Sequence, residues 1–226
     1  MTQQTTKKGL TRRKFLIGTA GVSVVACAGL GYWGTRAPEI NFIETSYAST
    51  DTESSRILIA YASQYGSTGG VADAMAQALH EQGAAVDVRR VGNVQNVTAY
   101  DAVLVGAPVI SEEWMPDARD FVKQNRDALA AIPTAYFLTC MTLALSPNED
   151  DHNKIAEYLQ KIECDFPETA PVELGLFAGA VDYGKMSPAM SVLYRVFSED
   201  DTEGDYRDFD AIRAWAAALY PHLINA

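Results

Sequence analysis

Residues 56–68, Arg-Ile-Leu-Ile-Ala-Tyr-Ala-Ser-Gln-Tyr-Gly-Ser-Thr, constrain the fold more than any other stretch. Ile57 to Tyr61 is a short apolar run of the kind a buried parallel strand needs. Gly69 to Gln82 follows, with Val71, Met75 and Leu79 spaced four apart, the period of a helix packed on a sheet. The loop between them therefore joins a strand end to a helix N-terminus. Such a terminus carries unpaired N–H groups and a partial positive charge, which makes it a seat for a phosphate. Ser63, Ser67 and Thr68 add hydroxyl donors, and Gly66 lets the backbone come close. Gln64 and Tyr65 complete the loop. The plain alternative is a hydroxyl-rich helix cap. Without a lysine the loop is not a triphosphate P-loop, and without spaced glycines it is not a dinucleotide fingerprint.

The pattern repeats along the chain. Residues 85–91 alternate and suit a strand at a sheet edge. Residues 101–108 read as a third strand, fully apolar and ending in a turn, and residues 134–140 as a fourth. Residues 171–180 read as a fifth strand. Helices are expected over 116–129, over 147–162 with Ile155, Tyr158, Leu159 and Ile162 in register, and over 208–220 with Phe209, Ile212, Trp215 and Leu219 inward. Strands alternating with helices give an α/β fold: a doubly wound, five-stranded parallel sheet in the order 2-1-3-4-5, spanning residues 56–222. One segment is extra. Residues 187–197 form an amphipathic helix inserted before the last one, with Met190, Leu193, Tyr194 and Phe197 on one side. It either packs on the core, covers a substrate or meets a membrane.

In a sheet wound this way, ligands bind beyond the carboxyl ends of the strands, at the switch between first and third. Three loops converge there: 62–68, then 107–115, then 139–144. A flat aromatic cofactor needs apolar or aromatic contacts on its faces and backbone hydrogen bonds at its edge. Trp114 and Met141 are candidates for the faces. Backbone groups around Ala107, Pro108, Val109 and Ile110, and around Thr139, Cys140 and Thr142, are candidates for the edge. Trp114 has the alternative of packing on the helix that follows it. No catalytic side chain is read from the sequence, and the three histidines form no metal-ligand spacing.

Charge is unevenly distributed. The chain holds 18 Lys/Arg and 29 Asp/Glu, but residues 1–40 carry six of the basic residues and one acid, Glu39. The remainder is therefore strongly acidic, which repels nucleic acid and attracts basic partners, or simply favours solubility. Cys140 and Cys164, beyond the N-terminal segment, make no disulfide framework and read as small buried residues.

The basic N-terminal segment, residues 1–37, has its own pattern. Thr11-Arg12-Arg13-Lys14-Phe15-Leu16 precedes 19 uncharged residues, Phe15 to Trp33. This resembles a twin-arginine export signal. The pathway it implies moves proteins already folded, which suits a chain that collects a cofactor first. Three fates stay open: a retained anchor, given the ~20 residues a bilayer span needs; cleavage at Ala26-Cys27-Ala28; or lipidation of Cys27. Residues 38–55, polar and rich in Ser and Thr, read as a linker.

The loop Ser63 to Thr68, with Gly106-Ala107, Trp114, Phe177 to Ala180 with Tyr183, the inserted helix and Gly204 to Trp215, resembles the flavodoxin-domain family. The branch it resembles includes the menaquinone-dependent protoporphyrinogen oxidase, over about residues 56–220. The resemblance implies FMN, its phosphate held by Ser63, Gln64, Tyr65, Gly66, Ser67 and Thr68 and its ring touched by the other two loops. It implies electron transfer, with a redox partner protein or a quinone as the other reactant. Where relatives often have Tyr and Gly, this chain has Ile110 and Glu112. Glu112 and Glu113 beside a flavin would lower the potential at which it takes its last electron. The readings that follow are an exported FMN electron carrier, a quinone-linked FMN oxidoreductase, or a cofactor-free binding domain.

Overall fold

The computed structural model describes residues 35–51, 53–145, 149–197 and 202–225. The expected export signal, its apolar run and its possible processing sites lie outside the described residues.

The chain divides into two compact units, one of Ile40–Asp182 with Thr202–Ala226, the other of Met1–Glu39 with Tyr183–Asp201. The larger holds the sheet. Its strands are β1 (Thr45–Tyr47), β2 (Arg56–Tyr61), β3 (Ala85–Arg90), β4 (Ala102–Ile110), β5 (Glu113–Trp114), β6 (Thr134–Cys140) and β7 (Glu173–Ala178). The path is β1-β3-β2-β4-β6-β7, with β5 paired to β4. From β3 through β7 every neighbour is parallel. Counting parallel strands alone, the order is second, first, third, fourth, fifth. A further two-stranded ribbon joins β8 (Ala180–Val181) to β9 (Gly204–Asp205).

Alternate residues of β2 serve opposite faces. Ile57, Ile59 and Tyr61 pack under helices α1 (Ser67–Glu81) and, near the C-terminus, Phe209–Ile224, against Val71, Met75, Leu79, Ile212, Ala216 and Leu219. Leu58, Ala60 and Ala62 face α2 (Pro116–Gln124), α3 (Arg126–Leu129) and, beyond the short α4 (Thr142–Leu145), α5 (Glu149–Asp165). Phe121, Val122, Leu129, Ile155 and Ile162 are among the buried residues those helices supply. Each fully buried Leu, Ile or Val contributes about 1.5–3 kcal/mol, so burial on both faces explains why β2 reads as a continuous apolar run.

Four features depart from the sequence reading. The stretch 38–55 contains a strand rather than serving only as a linker. β1 pairs antiparallel with β3, so residues 85–90 are not the sheet edge. Its segment is tied down by Tyr61 Oη donating to the Ile43 carbonyl at 2.8 Å, Tyr47 Oη to Asp73 at 2.8 Å, and the Arg90 guanidinium 3.9 Å over the Phe42 ring. The third strand does not end in a turn at Pro108 but continues to Ile110 and folds back as a hairpin. Cys140 is buried, but Cys164 is exposed.

In the smaller unit, of which residues 35–39 and 183–197 are described, the inserted helix is α6 (Pro188–Phe197). Leu193 and Tyr194, two of the residues read as sharing one side of it, are exposed. The last helix, Phe209–Ile224, is α7.

Candidate functional site

The loop after β2 is closed by its own groups. Ser63 is buried, and its hydroxyl oxygen accepts the Gly66 N–H at 2.9 Å. Gly66, the N-cap of α1, sits at φ 85°, ψ −7°, a left-handed conformation that glycine adopts without penalty. No side chain caps the helix, and its first turn contains no acid. The N-terminus of α1 thus offers the positive end of the helix dipole with no carboxylate or side-chain cap competing for it, although the Gly69 N–H is taken by the Gly66 carbonyl at 3.1 Å. Gln64 is exposed, while Tyr65, Gly66 and Ser67 are half-buried beside it. Thr68 does not face this seat as expected. It is fully buried, and its hydroxyl lies 3.2 Å from that of Thr139 at the end of β6. The two hydroxyls tie the first turn of α1 to the end of β6.

The second loop is the hairpin of β4 and β5. Val109 is paired with Trp114 and Ile110 with Glu113, and the turn residues Ser111 and Glu112 have φ 52° and 63°. Two consecutive left-handed residues are what a tight two-residue hairpin turn demands, though Asn-Gly is its usual sequence. The pairing decides where Trp114 goes. Its ring turns into the core, 3% exposed, with its centroid 5.5 Å from that of Tyr136. Its Nε1–H has no hydrogen-bond partner. Trp114 is therefore a core residue, the alternative kept open above, and not an exposed face for a flat ligand. Ala107 is fully buried, Pro108 and Val109 are half-buried, and Ile110 is 37% exposed at the hairpin end.

The third loop leaves β6 at Thr139 and Cys140, both buried, and enters α4 through Met141 and Thr142, both half-buried. Met141 lies against Gly179: a Cβ there would sit 3.4 Å from the Met141 sulfur. Because β2, β4 and β6 are adjacent and parallel, all three loops stand along one edge of the sheet. The Ala62 N–H donates to the Gly106 carbonyl at 2.8 Å, continuing the β2–β4 ladder into the first loop.

The two acids of the hairpin separate. Glu113 accepts Lys161 at 3.0 Å and Arg119 at 3.2 Å, and Arg119 also reaches Asp165 at 2.9 Å. The bonded Lys161 ammonium, backed by Arg119, holds the Glu113 carboxyl below the usual carboxylate range. Its charge is thereby answered on the α5 side, and Glu112, beside it at the turn, lines the same small cavity with Arg119, Tyr158 and Lys161.

Glycines 69 and 70, given no role by the sequence reading, are needed by the site's supports. A Cβ at Gly69 would lie 2.9 Å from the Tyr61 hydroxyl, and one at Gly70 2.3 Å from the Arg207 guanidinium. Arg207 donates to the Ser67 carbonyl at 2.9 Å, pairs with Asp205 and lies 4.8 Å over the Phe209 ring. The signal was present as two glycines in the first turn of a helix, where each is unfavourable by about 1 kcal/mol relative to Ala.

A family model described as "Flavodoxin domain" matches residues 58–202. No curated protein matches the sequence. Among solved structures, the flavodiiron core Flv1 from Synechocystis aligns with TM-score 0.50 at 11% identity, over 77% of this chain and 37% of that one. An oxidoreductase from Corynebacterium diphtheriae aligns with TM-score 0.48 at 16% identity, over 77% of this chain and 100% of its own. The two-electron-reduced flavodoxin of Megasphaera elsdenii aligns with TM-score 0.45 at 16% identity, over 72% and 98%.

Proposed function

The chain belongs to the flavodoxin-domain family, and from that premise we propose that it binds FMN non-covalently and carries electrons. The observation that carries this reading is the uncapped, acid-free N-terminus of α1, entered through left-handed Gly66 beside the β2–β4 switch. The opening amides of α1 and the Ser67 hydroxyl would hold the phosphate. Backbone groups of the β4–β5 hairpin and of the β6–α4 turn would meet the ring edge, with Ile110 and Met141 as apolar contacts. When bound, the flavin supplies the redox chemistry; the protein orients it and sets the charge around it.

The finer reading is an exported carrier. A twin-arginine signal would send the folded, loaded domain across the membrane, anchored by residues 15–33 or released by cleavage. Its acidic surface suits a transient, basic or haem-bearing redox partner. A second reading is a quinone-linked FMN oxidoreductase of the protoporphyrinogen-oxidase branch. The exposed apolar side chains of α6 favour it, because a lipid-soluble reactant requires a membrane-facing surface.

Absorbance of the purified full-length protein tests the core of this proposal. Flavin bands are expected, and acid should release FMN. A colourless protein from a flavin-replete host that also fails to take up added FMN would leave only the fold and the cofactor-free alternative. Reduction by menaquinol in vesicles, lost on deleting Met186–Phe197, would select the quinone-linked reading.

A further inference from the structure

Helix α6 has its apolar stripe turned outward. Ala189, Val192, Leu193 and Val196 fall at i, i+3, i+4 and i+7, the spacing of one helix face. All four are exposed: Val196 is 69%, Val192 61% and Leu193 47% accessible, with Tyr194 beside them at 40%. Among the described residues, four of the seven exposed large hydrophobics lie within these five consecutive positions, 192–196. A patch so concentrated calls for an occupant.

The course of the chain indicates which. Arg36, Ala37, Pro38 and Glu39 line one pocket together with Gly184, Met186 and Pro188, at the start of α6. The uncharged run ends at Trp33, and three residues reach at most about 11 Å. If residues 15–33 sit in a bilayer, the start of α6 is held about one helix diameter from its surface. A second copy of the chain is a poorer occupant. The stripe offers a handful of side chains, whereas a stable protein interface uses roughly 20–30 residues a side. The flanking groups also match the headgroup layer. Tyr194 borders the stripe, and the Arg195 guanidinium lies 4.7 Å over the Tyr183 ring.

We propose that α6 lies flat on the membrane surface beside the N-terminal segment, with Val192, Leu193 and Val196 buried at the boundary between headgroups and acyl chains. This rests on the anchored form of the function proposed above. It gives the smaller unit a second membrane contact beside the anchor.

The test uses the full chain with Cys27→Ser and Cys164→Ser, reconstituted in phosphatidylcholine–phosphatidylglycerol vesicles. A nitroxide is attached through Val192→Cys, through Val196→Cys, and through Gln160→Cys as the exposed control on α5. At 192 and 196, collisions with oxygen should rise several-fold relative to 160, and collisions with a water-soluble nickel chelate should fall several-fold. If the chain floats with the vesicles but 192 and 196 stay as accessible to nickel as 160, the docking of α6 is overturned and the anchor stands. Dipolar broadening between labels on two copies would assign the stripe to self-association and overturn it equally. A chain that does not float overturns both the anchor and the docking, while its flavin spectrum still reports separately on FMN binding.

Discussion

Gly66→Ala probes the phosphate seat most directly. Gly66 is held at φ 85°, so a Cβ there meets the left-handed penalty of about 1–2 kcal/mol. The new Cβ would also lie 3.3 Å from Ile40 Cγ2, a flexible methyl that yields by a few tenths of an ångström, so backbone strain dominates. The chain can relieve that strain only by turning the loop. That breaks the bond from the Gly66 N–H to Ser63 and splays the first amides of α1. A loss of about 1–2 kcal/mol in urea unfolding is expected, and a loss of roughly 5–30-fold in FMN affinity for the same free energy. Gly83 supplies the control: it sits at φ 103° with nothing within 4 Å of an added Cβ. Gly83→Ala should lose comparable stability and no FMN affinity. Riboflavin, which lacks the phosphate, should bind Gly66→Ala as it binds the parent. The quantities are urea midpoints and flavin-fluorescence titrations. Unchanged FMN affinity in Gly66→Ala, or an equal loss for riboflavin, would refute the assignment of the phosphate to this loop.

Three further outcomes follow from packing and charge. Gly106→Ala would place a Cβ 1.9 Å from the buried Phe137 ring, so calorimetry should show a loss of 3 kcal/mol or about that, near the top of the range for overpacking, recovered in part by Phe137→Leu. Trp114→Phe removes a buried N–H that has no partner; thermal unfolding should show at most about 1 kcal/mol of loss from the smaller ring, and FMN affinity should not change, because this side chain faces the core. Burial pushes the Tyr61 and Tyr136 hydroxyls up to about 12, against 10.0 when unfolded. Their contribution is complete below pH 10 and is lost as pH rises towards 12, so Tyr136→Phe should flatten the alkaline limb of a stability–pH curve.

What could be read from the sequence was what repeats. Apolar runs alternating with four-residue periodicities place β2, β4, β6 and the principal helices, because double-sided burial leaves no room for polar residues. What could not be read depends on single contacts. β1 is three residues long, and its Thr-Ser-Tyr composition also suits a loop. The β4–β5 hairpin lacks the glycine or asparagine that normally marks a left-handed turn, using Ser111 and Glu112 instead. Pairing Val109 with Trp114 then sets the side to which the indole points, a consequence of a two-residue period that composition cannot reveal. Thr68 was legible as a hydroxyl near the site, but its direction is fixed by Thr139, far away in the sequence.

The short antiparallel strand against β3 sets a practical boundary for shortened versions of this protein. Removing residues 1–39 leaves that strand in place. Cutting beyond Tyr47 strips the cover from β3, exposing a row of idle amides and carbonyls to which any extended peptide can add. Soluble preparations should therefore begin no later than Ile40, and truncations that begin at Arg56 should clump rather than merely soften.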